Sequence, residues 1–503
     1  MKKAAVVIAV IAIAAGFGSR MAGVRIALDG SGIWPRFIAK APDYNALETD
    51  RARQHERLAP PGPPAASEPS APTSPSASST PPAFAAPIDT RPPPGKALPA
   101  AATDTATLAP AGEEGHGYWP DFRGPQRDGR YEETAIRTDW PVDGLPRLWK
   151  QPIGLGYASF VAADRRVFTI EQRRRQEVVA AYDVETGREL WTHGWDGAFV
   201  ESMGGDGPRA TPTYVGGRVY ALGALGELRA LDARTGALVW RRNILTDNGA
   251  TNLPWGMAAA PLIVDGQVIV LPGGPQGKSI AAYDAATGKP LWTSLDDPQA
   301  YTSPMLVTIG GVRQILVVTA RRAIGVTTDR GERLWEYPWV TQMGISVAQP
   351  LLVGGDRVFL SAGYGHGAAV FEVTRTGGAF STRNVWFNSR MKNKFTSSVL
   401  HEGHIYGLDE AILACIDAAT GELRWKGGRY GYGQVLLAGD HLIVLTEDGD
   451  VALVSATPQS YRELGRFSAI AGKTWNHPVI VDGRLLVRNL REMAAFDIRS
   501  PSN

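Results

Sequence analysis

Charged side chains crowd one short glycine-rich stretch, Glu201-Ser-Met-Gly-Gly-Asp206-Gly-Pro-Arg209. A carboxylate at Glu201 or Asp206 has the chemistry to accept a proton, and a guanidinium at Arg209 the chemistry to hold an anion. Further along, Trp255, Tyr301 and Trp475 offer flat rings, Lys394 a second cation and Asn476 an amide. Gln342, Lys392, Tyr430 and His477 sit in comparable glycine- and aromatic-rich surroundings. A plainer reading stands beside this one: an Asp206–Arg209 ion pair that only fixes a loop. His401 and His404 flank a turn and read as a solvated surface pair, and Cys415 as a small core residue. With one cysteine, neither an intrachain disulfide nor a cysteine-based metal site can form, and no metal site is assigned. A net charge of +2 gives no polyelectrolyte signal, so nucleic acid is not an expected partner.

The elements that must position these residues follow from a repeat. Trp191, Trp240, Trp292 and Trp425 each have an aspartate eight residues before (Asp183, Asp232, Asp284, Asp417) and a glycine four before (Gly187, Gly236, Gly288, Gly421). Gly331 and Trp335 form a weaker copy. The aspartate can bond the backbone of the turn that follows, and the glycine can take the turn's positive φ. A period of about 40–50 residues points to propeller blades. Between the copies run β-branched hairpins that turn at Asp164, Gly216-Gly217, Asp265-Gly266, Gly310-Gly311, Gly354-Gly355, Glu402-Gly403, Gly439-Asp440 and Asp482-Gly483. The fifth repeat keeps Trp386, and the seventh substitutes Phe467. The eighth stops after its third strand, while Arg147-Leu-Trp149-Lys is a fourth strand with no blade before it. These features predict an all-β fold over 116–503: an eight-bladed β-propeller of four-stranded antiparallel blades, the last closed by the N-terminal strand. Trp149, Trp191, Trp240, Trp292, Trp335, Trp386 and Trp425 are then structural. The loops entering the innermost strands, which hold the candidates above, surround the mouth of the central channel. Trp119-Pro-Asp-Phe-Arg-Gly-Pro is expected to be an ordered loop that plugs or edges the domain.

Residues 1–23 pair Lys2-Lys3 with an apolar run, the pattern of a signal peptide or a membrane anchor. Residues 24–115 read as a Pro/Ala-rich disordered linker, with 14 of the 36 prolines in 60–100 and a short amphipathic segment as an alternative for 24–58. Arg173-Arg174-Arg175 reads as a solvated loop, or as a contact for acidic lipid or a partner. An extracytoplasmic protein, secreted or tethered, is expected, touching a membrane only through its N-terminus.

The unit Ala-x-Asp-x-x-Thr-Gly-x-x-x-Trp resembles the tryptophan-docking repeat of the pyrroloquinoline-quinone (PQQ) propeller superfamily. That resemblance implies one of two functions. In quinoprotein alcohol dehydrogenases, PQQ and calcium occupy the central channel; here Arg209 and Lys394 would face the carboxylates, and Trp255, Tyr301, Trp475 and Asn476 would line the cofactor. Glu201 or Asp206 would take the alcohol proton. In the non-catalytic branch the propeller binds other proteins. The adjacent cysteine pair of the dehydrogenases is missing, their calcium-binding set has no clear match, and the blade spacing is compact. The expected function is therefore a binding or scaffold module for protein or small-molecule partners through its loop faces. A PQQ/calcium-dependent alcohol or sugar dehydrogenase is the alternative.

Overall fold

The computed structural model describes residues 25–28, 35–38, 44–56 and 117–500; the signal or anchor expected at 1–23 lies outside them. The eight-bladed propeller is present as predicted. Blades 1 to 7 occupy 161–196, 213–243, 262–294, 305–338, 351–388, 399–429 and 434–468, and blade 8 occupies 479–497. The strand Arg147–Pro152 pairs antiparallel with Glu492–Asp497 and completes blade 8, so first and last strands of the ring meet. Every predicted hairpin turn carries positive φ angles, Asp164 and Arg165 included.

The repeat motif holds neighbouring blades together. Asp183 Oδ1 accepts from the Thr186 amide at 2.9 Å and from its hydroxyl at 2.7 Å, and Asp232 and Asp284 treat Thr235 and Thr287 the same way. The glycine that follows lies under the tryptophan of the preceding blade: a β-carbon at Gly187 would stand 2.6 Å from the Trp149 ring, and one at Gly288 2.7 Å from Trp240. With φ of 67° and 71° at these positions, only glycine fits both the turn and the ring above it. The indole N–H then donates across the same seam, from Trp149 to Val184 O, Trp191 to Ala233 O, Trp240 to Ala285 O and Trp386 to Ala418 O. A bulge between third and fourth strands recurs in all eight blades, next to the tryptophan in seven of them and, in blade 7, next to Gly465, so that Phe467 stands two residues beyond the tryptophan's register position; such a bulge re-aims the side chain beside it.

Where the motif decays, aromatic pairs take over. Trp335 finds no glycine on blade 5; it packs on Phe371 at 5.6 Å and donates to Gln314 of its own blade. Phe467 packs on Phe496 at 4.9 Å, over Gly144, whose β-carbon would stand 2.5 Å away.

The Trp119 loop is a plug. Trp119 pairs with Ala162 of blade 1, and Arg130–Tyr131 adds a parallel strand to blade 7. Between them Arg127 donates to carbonyls of Ala260, Pro261 and Pro304 and pairs with Asp121 at 2.6 Å, while Arg123 donates to Ser397 O and Ser398 O. Two buried guanidiniums thus bind blades 3, 4 and 6 from the channel axis.

The stretch read as linker holds two regular pieces. Arg25–Leu28 pairs with Pro35–Ile38, and a helix, α1 (Tyr44–Glu56), rests on the propeller. Arg173 and Arg174 are correspondingly not a free solvated loop: Arg173 pairs with Glu171 and Glu189, and Arg174 with Glu48 of α1. Acidic partners on the same strand, on the outermost strand of blade 1 and on α1 explain the difference.

Candidate functional site

The loops that enter the innermost strands converge on a funnel above the plug, enclosing a cavity of ≈ 190 Å³. Each blade contributes: Tyr157 before blade 1, Arg209 and Thr211 before blade 2, Trp255 before blade 3, Tyr301 before blade 4, Ile345 and Val347 before blade 5, Phe395 and Ser397 before blade 6, Gln434 in blade 7 and Trp475 before blade 8. Phe122 of the plug also lines the cavity, packed edge-on against His477 at 6.1 Å.

Two aromatic walls face each other. Trp475 stacks on Tyr157 at 5.1 Å and packs at a tilt on Phe395 at 4.3 Å; Trp255 leans on Tyr301 at 5.9 Å. Glu447 fixes the first wall, accepting the Trp475 indole N–H at 3.1 Å and the Tyr432 amide at 3.2 Å. Burial pushes the Tyr301 hydroxyl up to about 12, so it stays neutral. Cations pack against these rings. Lys473 Nζ lies 3.6 Å above Trp475 and donates to Gly204 O at 2.9 Å. Lys394 Nζ sits 4.6 Å from the Tyr432 ring and 4.8 Å from Tyr364. The Arg209 guanidinium lies 4.7 Å over Phe199.

Of the residues singled out from sequence, Arg209, Trp255, Tyr301 and Trp475 line the cavity, and Lys394 packs against its Tyr364 and Phe395 walls. Glu201 turns inward on its own loop, accepting from the amides of Met203, Gly204 and Gly205, with Arg209 3.8 Å away. Asp206 accepts from the Glu201 amide at 3.0 Å, and Arg209 donates to Gly205 O and Gly207 O. This loop is a self-satisfied turn. Asn476 lies behind the wall, its amide donating to Gly156 O and Ala158 O. His477 is deeper still; burial first, then the Arg123 charge, hold its pKa down at about 3, so the ring stays neutral beside Trp119. Tyr430 bonds Tyr461 and Glu463, Lys392 pairs with Asp409, and Gln342 begins a short turn.

Sequence reasoning missed Tyr157, Phe395, Tyr364 and Phe122. The first two stand within loops already assigned to the channel mouth. Tyr364 comes from a turn between the second and third strands of blade 5, and nothing in the sequence gives the depth to which Phe122 reaches.

The donor set does not fit a quinone with its calcium ion. No three acidic, histidine or cysteine side chains converge among the described residues, and Glu201 is spent on backbone amides. Cys415 is buried in blade 6, where desolvation pushes its thiol up to about 12.

A family model described as outer membrane protein assembly factor BamB matches residues 174–427. The chain is 26% identical over 250 residues to the outer membrane protein assembly factor BamB of Burkholderia pseudomallei, covering 47% of this chain and 61% of that one. It is 34% identical over 119 residues to quinohemoprotein alcohol dehydrogenase ADH IIB of Pseudomonas putida, covering 23% and 17%. The chain thus spans about three fifths of the first relative and under a fifth of the second. Among solved structures, BamB from Moraxella catarrhalis superposes with a TM-score of 0.51 at 16% identity, over 71% of this chain and 99% of that one. The quinohemoprotein alcohol dehydrogenase of Comamonas testosteroni gives 0.56 at 15%, over 79% and 82%. At such identities the likeness establishes the fold alone.

Proposed function

The chain belongs to the PQQ-like propeller family whose model is described as outer membrane protein assembly factor BamB, and from that premise we propose that it is an extracytoplasmic binding or scaffold module that holds a protein partner in its funnel. The observation that carries this reading is the funnel's chemistry. Its walls are aromatic and apolar, and the acids and the arginine of its charged loop satisfy one another or the backbone. The loops that line it also expose Val200, Met203, Val340 and Met343, at 61, 45, 68 and 71% of their surface. Exposed apolar side chains on the loops around an aromatic pocket suit a protein contact, where a partner's side chain fills the pocket and the rim excludes water. An N-terminus of the signal or anchor type at 1–23 supports the extracytoplasmic location.

Photo-crosslinking of the full chain in its source cells tests this. A photoreactive residue at Met343 or Met203 is expected to trap a discrete partner, one at Val239 on an outer strand is not, and Trp255→Ala is expected to abolish the adduct. Equal trapping at Val239 removes the funnel from the reading. The dehydrogenase is the second reading, favoured by the 34% identical stretch shared with a quinohemoprotein alcohol dehydrogenase. Titrating the full chain with PQQ and calcium decides it: saturable calcium-dependent binding followed by dye-linked alcohol oxidation replaces the scaffold reading, with Arg209 and Lys394 the first residues to mutate.

A further inference from the structure

The face of α1 turned to the propeller reads Tyr44, Leu47, Glu48, Arg51 and Gln54, the spacing of one helical stripe. Leu47 and Arg51 are buried, at 2% and 5% exposure, while most other side chains of the helix are exposed or half-exposed. Arg51 enters a pocket in the seam between blades 8 and 1. Its Nη1 donates to Gln151 Oε1 at 2.7 Å and its Nη2 to Pro152 O at 2.8 Å; its Nε lies 3.2 Å from Glu189 Oε2, and the guanidinium covers the Tyr182 ring at 5.2 Å. Gln54 Oε1 accepts the Glu189 amide at 3.1 Å, and Glu48 pairs with Arg174. A carboxylate, an amide oxygen, a carbonyl and an aromatic face around one fork of donors make a recognition set for arginine, which lysine cannot match; Nη1 also pairs with Asp50 of α1 at 2.9 Å.

The pocket does not need Arg51 to exist. Arg173 already pairs with Glu189 at 2.6 Å and bonds the Tyr182 hydroxyl at 3.0 Å, and Tyr182 donates to Glu171 at 3.0 Å. The helix is a weaker partner. It has thirteen residues, a length marginal for a helix alone in water. We propose that this seam is an exchangeable docking site for an arginine-bearing helix, filled in cis by α1 and able to take the same helix in trans from a second copy of the chain.

The test uses the full chain carrying Arg51→Ala and a labelled peptide of residues 44–56, titrated by fluorescence anisotropy to about 1 mM, the order of effective concentration at which two linked segments meet. Saturable binding is expected, at least about tenfold tighter than to the wild-type chain, whose own α1 competes. A peptide with Arg51→Lys, or a chain that also carries Glu189→Gln, is expected to bind about tenfold more weakly, the size of one charge-assisted hydrogen bond. Gln151→Ala in the Arg51→Ala chain is a milder second lesion, expected to weaken the peptide a few-fold. Binding that ignores the identity of residue 51, or no binding while circular dichroism shows an intact propeller, overturns the proposal.

Discussion

Seam and funnel both draw on every blade, and they draw differently. At the seams, four blades repeat one solution: an aspartate-bonded turn, a glycine and a tryptophan lying over it. In the funnel no single motif recurs: blades 1, 4 and 5 supply tyrosines and blades 3 and 8 tryptophans, while arginine, glutamine and the blade 6 phenylalanine each appear once. A seam residue faces an equivalent neighbour, so one answer serves many positions. A funnel residue faces all the others at once, so the answers must differ for the walls to close around a single cavity.

Substitutions can separate the two. Trp240→Ala removes a buried ring and its hydrogen bond to Ala285 O, and a loss of about 3–5 kcal/mol is expected in denaturant unfolding. If the loss is under about 1 kcal/mol, the seam is not the stabilising unit. Gly288→Ala leaves the ring in place but sets a β-carbon 2.7 Å from it at a φ of 71°; about 1–3 kcal/mol is expected from strain and displacement.

The seam between blades 1 and 2 adds a pH signature. Glu177 accepts from Ala224 N at 2.8 Å and Trp195 Nε1 at 3.2 Å, yet burial dominates and raises its pKa from 4.5 to about 7. The folded state then holds a proton that the unfolded state has released. Stability is fully present below pH ~4.5 and declines as pH rises toward ~7. Glu177→Gln is expected to flatten that part of the stability profile by roughly 2 kcal/mol; an unchanged slope assigns the titration to other groups. The smallest stability effect belongs to the funnel: Trp255→Ala, at a half-exposed position, is expected to cost under about 1 kcal/mol while abolishing the cross-link at Met343. A large stability loss there would mean that the funnel wall is part of the framework.

The same contrast explains what could be read in advance. Asp, Thr-Gly and Trp recur because their job recurs, and so the blades, the hairpin turns and the closing strand around Trp149 were legible. Trp386 was legible too, since its place in the repeat outlasts the motif; Phe467 fills the seam over Gly144, but from two residues beyond that place, which Gly465 holds. Arg209, Trp255, Tyr301 and Trp475 could be placed at the funnel because their loops could be placed. Their orientation could not: Glu201 looks the same in the sequence whether it points at a ligand or at the amides of Gly204 and Gly205. Asn476 precedes strand-entering Pro478 in the same way whether it faces the cavity or stands behind it. Arg51 was illegible for another reason, since its partners Gln151, Pro152 and Glu189 lie about a hundred or more residues away.

The strand Arg147–Pro152 also sets a schedule. It is among the first parts of the propeller to be synthesised and pairs with Glu492–Asp497, among the last. At about 5–20 residues per second, translation of the intervening chain keeps the two apart for roughly 20–70 s. Throughout that interval Trp149 has no sheet to join and the third strand of the final blade does not exist. The ring cannot latch from its beginning; it waits for its end.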